Sequence, residues 1–158
     1  MATDRLLDDV NWRILTELQE NARVSHTELG RRLGLTSPAV AERVKRLEEA
    51  GVISGYHAEV DLAKLGLPIT AFVRLRDRQR GGSTSLARQL PEVLEAHRVT
   101  GEDYLILRVA VRSVEELQTL IDRLAQSGET TTALILSSPV THRVIRRPEA
   151  DAVETFSE

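Results

Sequence analysis

SHTELGRRLGLTSPAVAERVKRLEEAGVI, residues 25–53, reads as two helices joined by a tight turn. Ser25 and Glu28 have the spacing of a capping box, in which hydroxyl and carboxylate each satisfy an orphan backbone N–H. Val24 and Leu29 are placed for a hydrophobic staple. Leu29 and Leu33 share a face, and Gly34 suits the left-handed residue that stops a short helix. Thr36-Ser37-Pro38 opens a second, longer helix, with a capping hydroxyl and a proline just inside it. Val40, Val44 and Leu47 form its buried stripe. Gly51 is placed to end it, with Val52 closing back on Leu47 as in a Schellman cap.

Side chains off that stripe carry the functional expectation. Ser37, Ala39, Glu42, Arg43 and Arg46 project from the opposite side or its flanks, with Lys45 nearby. From Arg31 to Arg46 there are five basic residues and one acid, in a chain whose net charge is −3. Any affinity for nucleic acid must therefore come from this local patch. A helix that opens with small residues and carries arginines farther along can approach a groove closely while binding phosphates. A solvated helix that uses these charges only for solubility is the bland alternative. Two stacked capping motifs at helix-turn-helix spacing favour DNA. The predicted contacts to double-stranded DNA are Ser25, Thr36, Ser37, Pro38, Ala39, Glu42, Arg43, Lys45 and Arg46.

Upstream, Met1 to Arg5 is expected to be a mobile arm or to be tied down by a partner. A first helix follows, with Leu7, Val10, Ile14 and Leu18 on one stripe and Leu15 at its edge. Trp12 falls off that stripe, which suits packing against a neighbouring element or subunit. Downstream, residues 53–61 alternate weakly and read as a strand or extended wing. Gly66 and Pro68 interrupt any regular element in DLAKLGLP, residues 61–68, making it the expected linker. The boundaries are thus residues 1–60 for the helix-turn-helix domain, 61–68 for the linker and 69–147 for a second domain. Residues 148–158, acidic and poor in core residues, are expected to be a disordered tail.

The second domain alternates strands and helices. Residues 69–76 read as a strand with Ala71, Val73 and Leu75 on one face. After a Gly-Gly loop comes a helix around residues 85–90, limited by Pro91. Residues 93–100 lead into a second strand, and residues 105–111 are the clearest strand, with Leu105, Leu107, Val109 and Val111 on one face. Ser113 and Glu116 make another capping box, before a helix that buries Val114, Leu117, Ile121 and Leu124. Gly128 is expected to stop it, and residues 130–138 form the last strand. The order β-α-β-β-α-β is the ferredoxin-like arrangement, with both helices on one face of an antiparallel sheet. The chain is therefore α+β: an N-terminal, winged-helix-like helix-turn-helix domain and a C-terminal βαββαβ sandwich domain. The sheet's other face, carrying Ile106 and Ile135, needs a cover, and a second copy is the expected one.

At 158 residues the chain has room for one domain or two small ones, and 41% hydrophobic content is enough for a core. Aromatic content of 3% means that aliphatic packing dominates. No run of about 20 apolar residues and no charged-then-apolar leader is present, so neither a membrane span nor export is expected. Zero cysteines exclude disulfides and thiolate metal sites and fit a cytoplasmic protein. His26, His57, His97 and His142 are scattered without ligand spacing, so no metal is expected. No Walker loop, dinucleotide fingerprint or nucleophile elbow points to a cofactor. Arg74, Arg76, Arg78 and Arg80 alternate, which suits a solvated strand end.

Two loops of the second domain have chemical interest. Gly101, Glu102, Asp103 and Tyr104 form a turn between adjacent strands, and Thr130, Thr131 and Thr132 enter the final strand. Carboxylates can hold an ammonium group, while hydroxyls and glycine-exposed backbone can receive a carboxylate. The alternative is a capped hairpin and an ordinary sheet edge.

LDDVNWRILTELQENAR, SHTELGRRLGLTSPAV and ERVKRLEEAGVISGYHAEVD, followed by RVTGEDYLILRVAV and TTTALIL, resemble in their order the Lrp/AsnC family of transcriptional regulators. The resemblance covers nearly the whole chain. It implies a sequence-specific DNA-binding regulator, dimeric and assembling as an octamer of four dimers. It also implies an effector, often an amino acid, bound near the two loops where dimers meet. Two positions depart from the family pattern. Asn11 stands where an aspartate is usual. The Asp103-Tyr104 pair also comes one residue earlier than in the commoner Gly-x-x-Asp-Tyr. Some decarboxylases acting on sirohaem resemble the same two-domain build, but only His97 lies near the loops and no catalytic constellation appears. A non-specific DNA-packaging protein is the third reading.

Overall fold

The computed structural model describes residues 6–77, 82–101 and 105–148. The expected arm at residues 1–5, Gly81, Arg78, Arg80, the loop residues Glu102, Asp103 and Tyr104, and the tail from residue 149 lie outside them. The described chain divides into two compact units. One comprises residues up to Ala58 together with those from Val140, and the other runs from Glu59 to Pro139.

The helix unit contains α1 (Asp9–Glu20), α2 (His26–Leu33) and α3 (Ser37–Glu49). Ile14, Leu29, Val40, Val44 and Leu47 are its buried centre, with Leu7, Val10, Leu15, Leu18 and Val24 packed around them. Each helix begins on a side-chain cap: Asp8, Ser25 and Thr36 accept the N–H groups of Asn11, Glu28 and Ala39. The reciprocal half of the first capping box is not formed, because the Glu28 carboxylate turns to Arg31 and Arg32 instead. At the end of α3, Gly51 takes a φ of 71°. Val52 N–H then reaches Leu47 O at 2.9 Å and Gly51 N–H reaches Glu48 O at 2.9 Å, the paired bonds of a Schellman cap. Gly30 has a role that its helical position hides: a Cβ there would lie 2.5 Å from the Leu35 carbonyl oxygen. The turn between α2 and α3 is that close.

Residues 54–60 pair with no strand among the described residues, so the expected wing is irregular chain. Residues 61–67 form a helical turn on Asp61, whose Oδ1 accepts Lys64 N–H at 3.2 Å. The segment from residue 140 lies along α1. Gln19 bonds both the N–H and the carbonyl of Ile145, at 2.8 and 3.0 Å, and Arg147 pairs with Asp9.

The sheet unit contains β1 (Ile69–Asp77), α4 (Gly82–Gln89), β2 (Val93–Arg98), β3 (Leu105–Val111), α5 (Val114–Ala125) and β4 (Gly128–Leu134). Its strands run antiparallel in the order β2-β3-β1-β4, the ferredoxin-like order. Ala71, Val73, Leu75, Leu105, Leu107, Val109 and Val111 turn one way and are buried with Leu117, Leu120 and Leu124 of α5. Five expectations need correction. Val114 is 60% exposed, because the first residue of a helix points back past its own end, and Leu120 fills the stripe instead. Gly128 does not stop α5; Gln126 caps it, and Gly128 is already strand, opposite Asp77. β4 then ends at Leu134, four residues short of the expected 138. Helix α4 begins at Gly82, before the expected 85, and β2 ends at Arg98, before the expected 100.

Candidate nucleic-acid interface

The outer side of α3 is built by its cap and its stripe together. Because Val40, Val44 and Leu47 are buried, the 3.6-residue repeat sends Pro38, Glu42, Lys45 and Arg46 outward. Small residues dominate the first turn, where Ser37 and Ala39 follow Thr36. Thr27 of α2 brings its hydroxyl to 3.5 Å from that of Ser37, so the starts of the two helices adjoin. Ser25 and Thr36 use their oxygens as cap acceptors, which leaves each O–H proton free to donate to a phosphate oxygen.

Carboxylates pre-order the cations of this unit. Arg46 Nε donates to Glu42 Oε1 at 2.9 Å, and Lys45 Nζ lies 3.6 Å from Glu49 Oε1. Both pairs are one helical turn apart and solvent-exposed, so each is weak and readily exchanged for a phosphate. On α2, Glu28 receives Arg31 at 2.7 Å and Arg32 at 2.8 Å. Hydrogen bonds from Arg31 and then Arg32 hold its carboxyl down at about 2.

Arg43 stands apart from the other sequence-assigned contacts. Its Nη1 donates to Asp8 Oδ2 at 2.7 Å and to Asn11 Oδ1 at 3.0 Å, and its side chain is 32% exposed against 64% for Arg46. Burial alone would raise the Asp8 carboxyl, but the Arg43 hydrogen bond and the backbone N–H of Asn11 bring it below the ordinary aspartate range. Asp8 and Asn11 were not anticipated as partners, since nothing in a sequence joins positions 35 and 32 residues apart.

A cavity of about 340 Å³ opens between Leu18, Val24, Ala41, Val44 and the rim residues His26, Lys45, Glu48 and Tyr56. Tyr56 O–H donates to Glu48 at 2.8 Å, and burial followed by that carboxylate pushes its phenol up to about 12.

The second candidate site is divided. Gly101 is described, with a φ of 101°, and lies in the bend that follows β2. Leu75 stands between Leu105 and Thr130 in the sheet, so the start of β3 and the start of β4 share one end of it, about 10 Å apart across β1. The three threonines do not line one wall. Thr130 and Thr132 pair with Leu75 and Val73 and face the helices, while Thr131 pairs with Arg74 on the open face. The same open face carries Phe72, Ile106, Arg108 and Glu95, the last bonded to Arg108 Nε at 2.8 Å. Among the described residues no group of acidic, histidine or cysteine side chains is arranged to hold a metal ion, and no helix is long and apolar enough to cross a membrane.

Comparison with known proteins matches both units. Residues 7–48 match the AsnC-type helix-turn-helix domain, and residues 70–145 match the Lrp/AsnC ligand binding domain. YezC, an HTH-type transcriptional regulator of Bacillus subtilis, is 39% identical over 86% of this chain and 98% of its own length. The structure of B. subtilis LrpC superposes with a TM-score of 0.81 at 33% identity, covering 86% of this chain and 99% of that one. A transcriptional regulator from Neisseria meningitidis, solved as an L-Met complex, superposes at 0.78 with 26% identity, over 90% of this chain and 96% of its own.

Proposed function

The chain belongs to the Lrp/AsnC family of transcriptional regulators, which are not enzymes, and from that premise we propose that it reads a specific DNA duplex with α3 under the control of an amino-acid-like effector. The observation that carries the reading is the outer side of α3. Its small first turn and its exposed, loosely held Arg46 and Lys45 suit insertion into a major groove, flanked by the cap hydroxyls of Ser25 and Thr36. Ser37, Pro38, Ala39 and Glu42 complete the contacting set. The protein works in the cytoplasm as a dimer joined through the open sheet faces, with four dimers forming an octamer.

For the effector, Glu102 or Asp103 would receive the ammonium group. Thr131, on the open face, suits its carboxylate better than Thr130 or Thr132. The L-Met complex of a similar regulator supports this ligand class. Two charges taken out of water need such partners on both ends.

The test compares wild type and Arg46→Ala on a duplex enriched from a random library by the wild-type protein and on a scrambled copy. The enriched duplex is expected to bind on the order of a thousandfold more tightly. Arg46→Ala is expected to weaken binding and, if the contact is to phosphate, to reduce the salt slope by about 0.9. Equal binding to both duplexes would favour a packaging role instead. Calorimetry with the standard amino acids, followed by Asp103→Ala and Thr131→Val, tests the effector. No heat at millimolar concentration would remove the amino-acid reading.

A further inference from the structure

We infer that Arg43 is a positioning residue that fixes the recognition helix against the start of α1 and makes no contact with DNA. The inference rests on the assignment of α3 as the reading helix. At about 100° per residue, Arg43 lies only about 60° from Val40 in the middle of the buried stripe, whereas Arg46 lies about 120° from it. Arg43 therefore leaves α3 on the side that meets α1.

Both of its acceptors are themselves held in place. Asp8 Oδ1 accepts Asn11 N–H at 2.7 Å as the cap of α1, which leaves Oδ2 for Arg43. Asn11 donates its Nδ2 to Leu6 O at 2.6 Å, which fixes the amide so that Oδ1 faces Arg43. Asn11 is 4% exposed, so removing Arg43 strands a buried acceptor. A phosphate could take Nη1 only by stranding Asn11 and uncovering Asp8. Arg46 has no such tie, since its partner Glu42 is exposed on its own helix.

The test uses the full chain and the enriched duplex, with affinity measured between about 50 and 200 mM salt. Arg43→Ala and Asp8→Ala are each expected to weaken binding about tenfold while keeping the wild-type salt slope, because no phosphate contact is lost. Adding Asn11→Asp to Asp8→Ala returns a carboxylate to the site and is expected to restore affinity to within about twofold. A reduced slope for Arg43→Ala, undiminished binding by Asp8→Ala or absence of rescue overturns the inference. Thermal unfolding of the Asp8→Ala, Arg43→Ala and double variants without DNA provides a separate reading. Non-additive losses in Tm are expected, and additive losses overturn the link. Failure of the DNA-reading assignment itself would look different: the wild type would bind enriched and scrambled duplexes alike, whatever the thermal cycle shows.

Discussion

The helix unit and the sheet unit deal with their surfaces in opposite ways. In the helix unit, three short helices turn Ile14, Leu29, Val40, Val44 and Leu47 to a common centre, and each arginine and lysine of α2 and α3 has a carboxylate beside it. In the sheet unit one face is buried under α5, while the other holds Phe72, 43% exposed, among arginines and glutamates. The first is closed by its own chain, whereas the second leaves one sheet face without a cover among the described residues.

Phe72→Asp attacks the open face directly and has the largest expected effect. It should weaken dimerisation at least about a hundredfold, because the large apolar anchor of that face is replaced by a hydrated carboxylate that resists burial. Sedimentation of a dilute sample should show monomer with unchanged helix content; unaltered sedimentation would break the contrast between the units. Leu47→Ala comes next. It empties a fully buried site and should cost about 2 to 5 kcal/mol, confined to the helix unit. Trp12, the single tryptophan and a residue of α1, reports that unit in urea denaturation. Thr36→Ala removes the cap of α3 and should cost about 1 kcal/mol by the same probe.

The smallest effect sharpens the picture of charge at the rim. Glu28 titrates at about 2 in the folded chain against an ordinary 4.5, a depressed carboxyl. Its contribution is therefore complete above about 4.5 and is lost as pH falls toward 2. The gap in Tm between wild type and Glu28→Gln should be present at neutral pH and close across that window. A gap independent of pH would show that Arg31 and Arg32 are not what holds Glu28.

Local chemistry was readable from the sequence, and distant pairing was not. Cap residues Ser25, Thr36 and Ser113 announce themselves within three positions, and the stripes of α3 and β3 follow directly from periods of 3.6 and 2. Period 2 also separates Thr131 from Thr130 and Thr132, which a reading by composition alone had grouped. Element ends were harder. Val114 has the right spacing for the core but lies where no turn precedes it, and Gly128 looks like a helix stop although the ladder with Asp77 claims it. The second capping box closes one residue early, with Glu116 accepting Arg112 N–H at 3.0 Å. Arg43 illustrates the distant part: its helical position sets it on the flank of the buried stripe, while its partners Asp8 and Asn11 come from far away in the chain.

The strap from residue 140 along α1 gives the molecule a schedule. All core side chains of the helix unit lie between Ile14 and Leu47, so they can collapse as soon as that stretch leaves the ribosome. Ile145 meets Gln19 across 126 positions and Arg147 meets Asp9 across 138, after every strand of the sheet has been made. During synthesis α1 therefore keeps this flank bare until the whole sheet has emerged, and only then can Ile145 and Arg147 cover it.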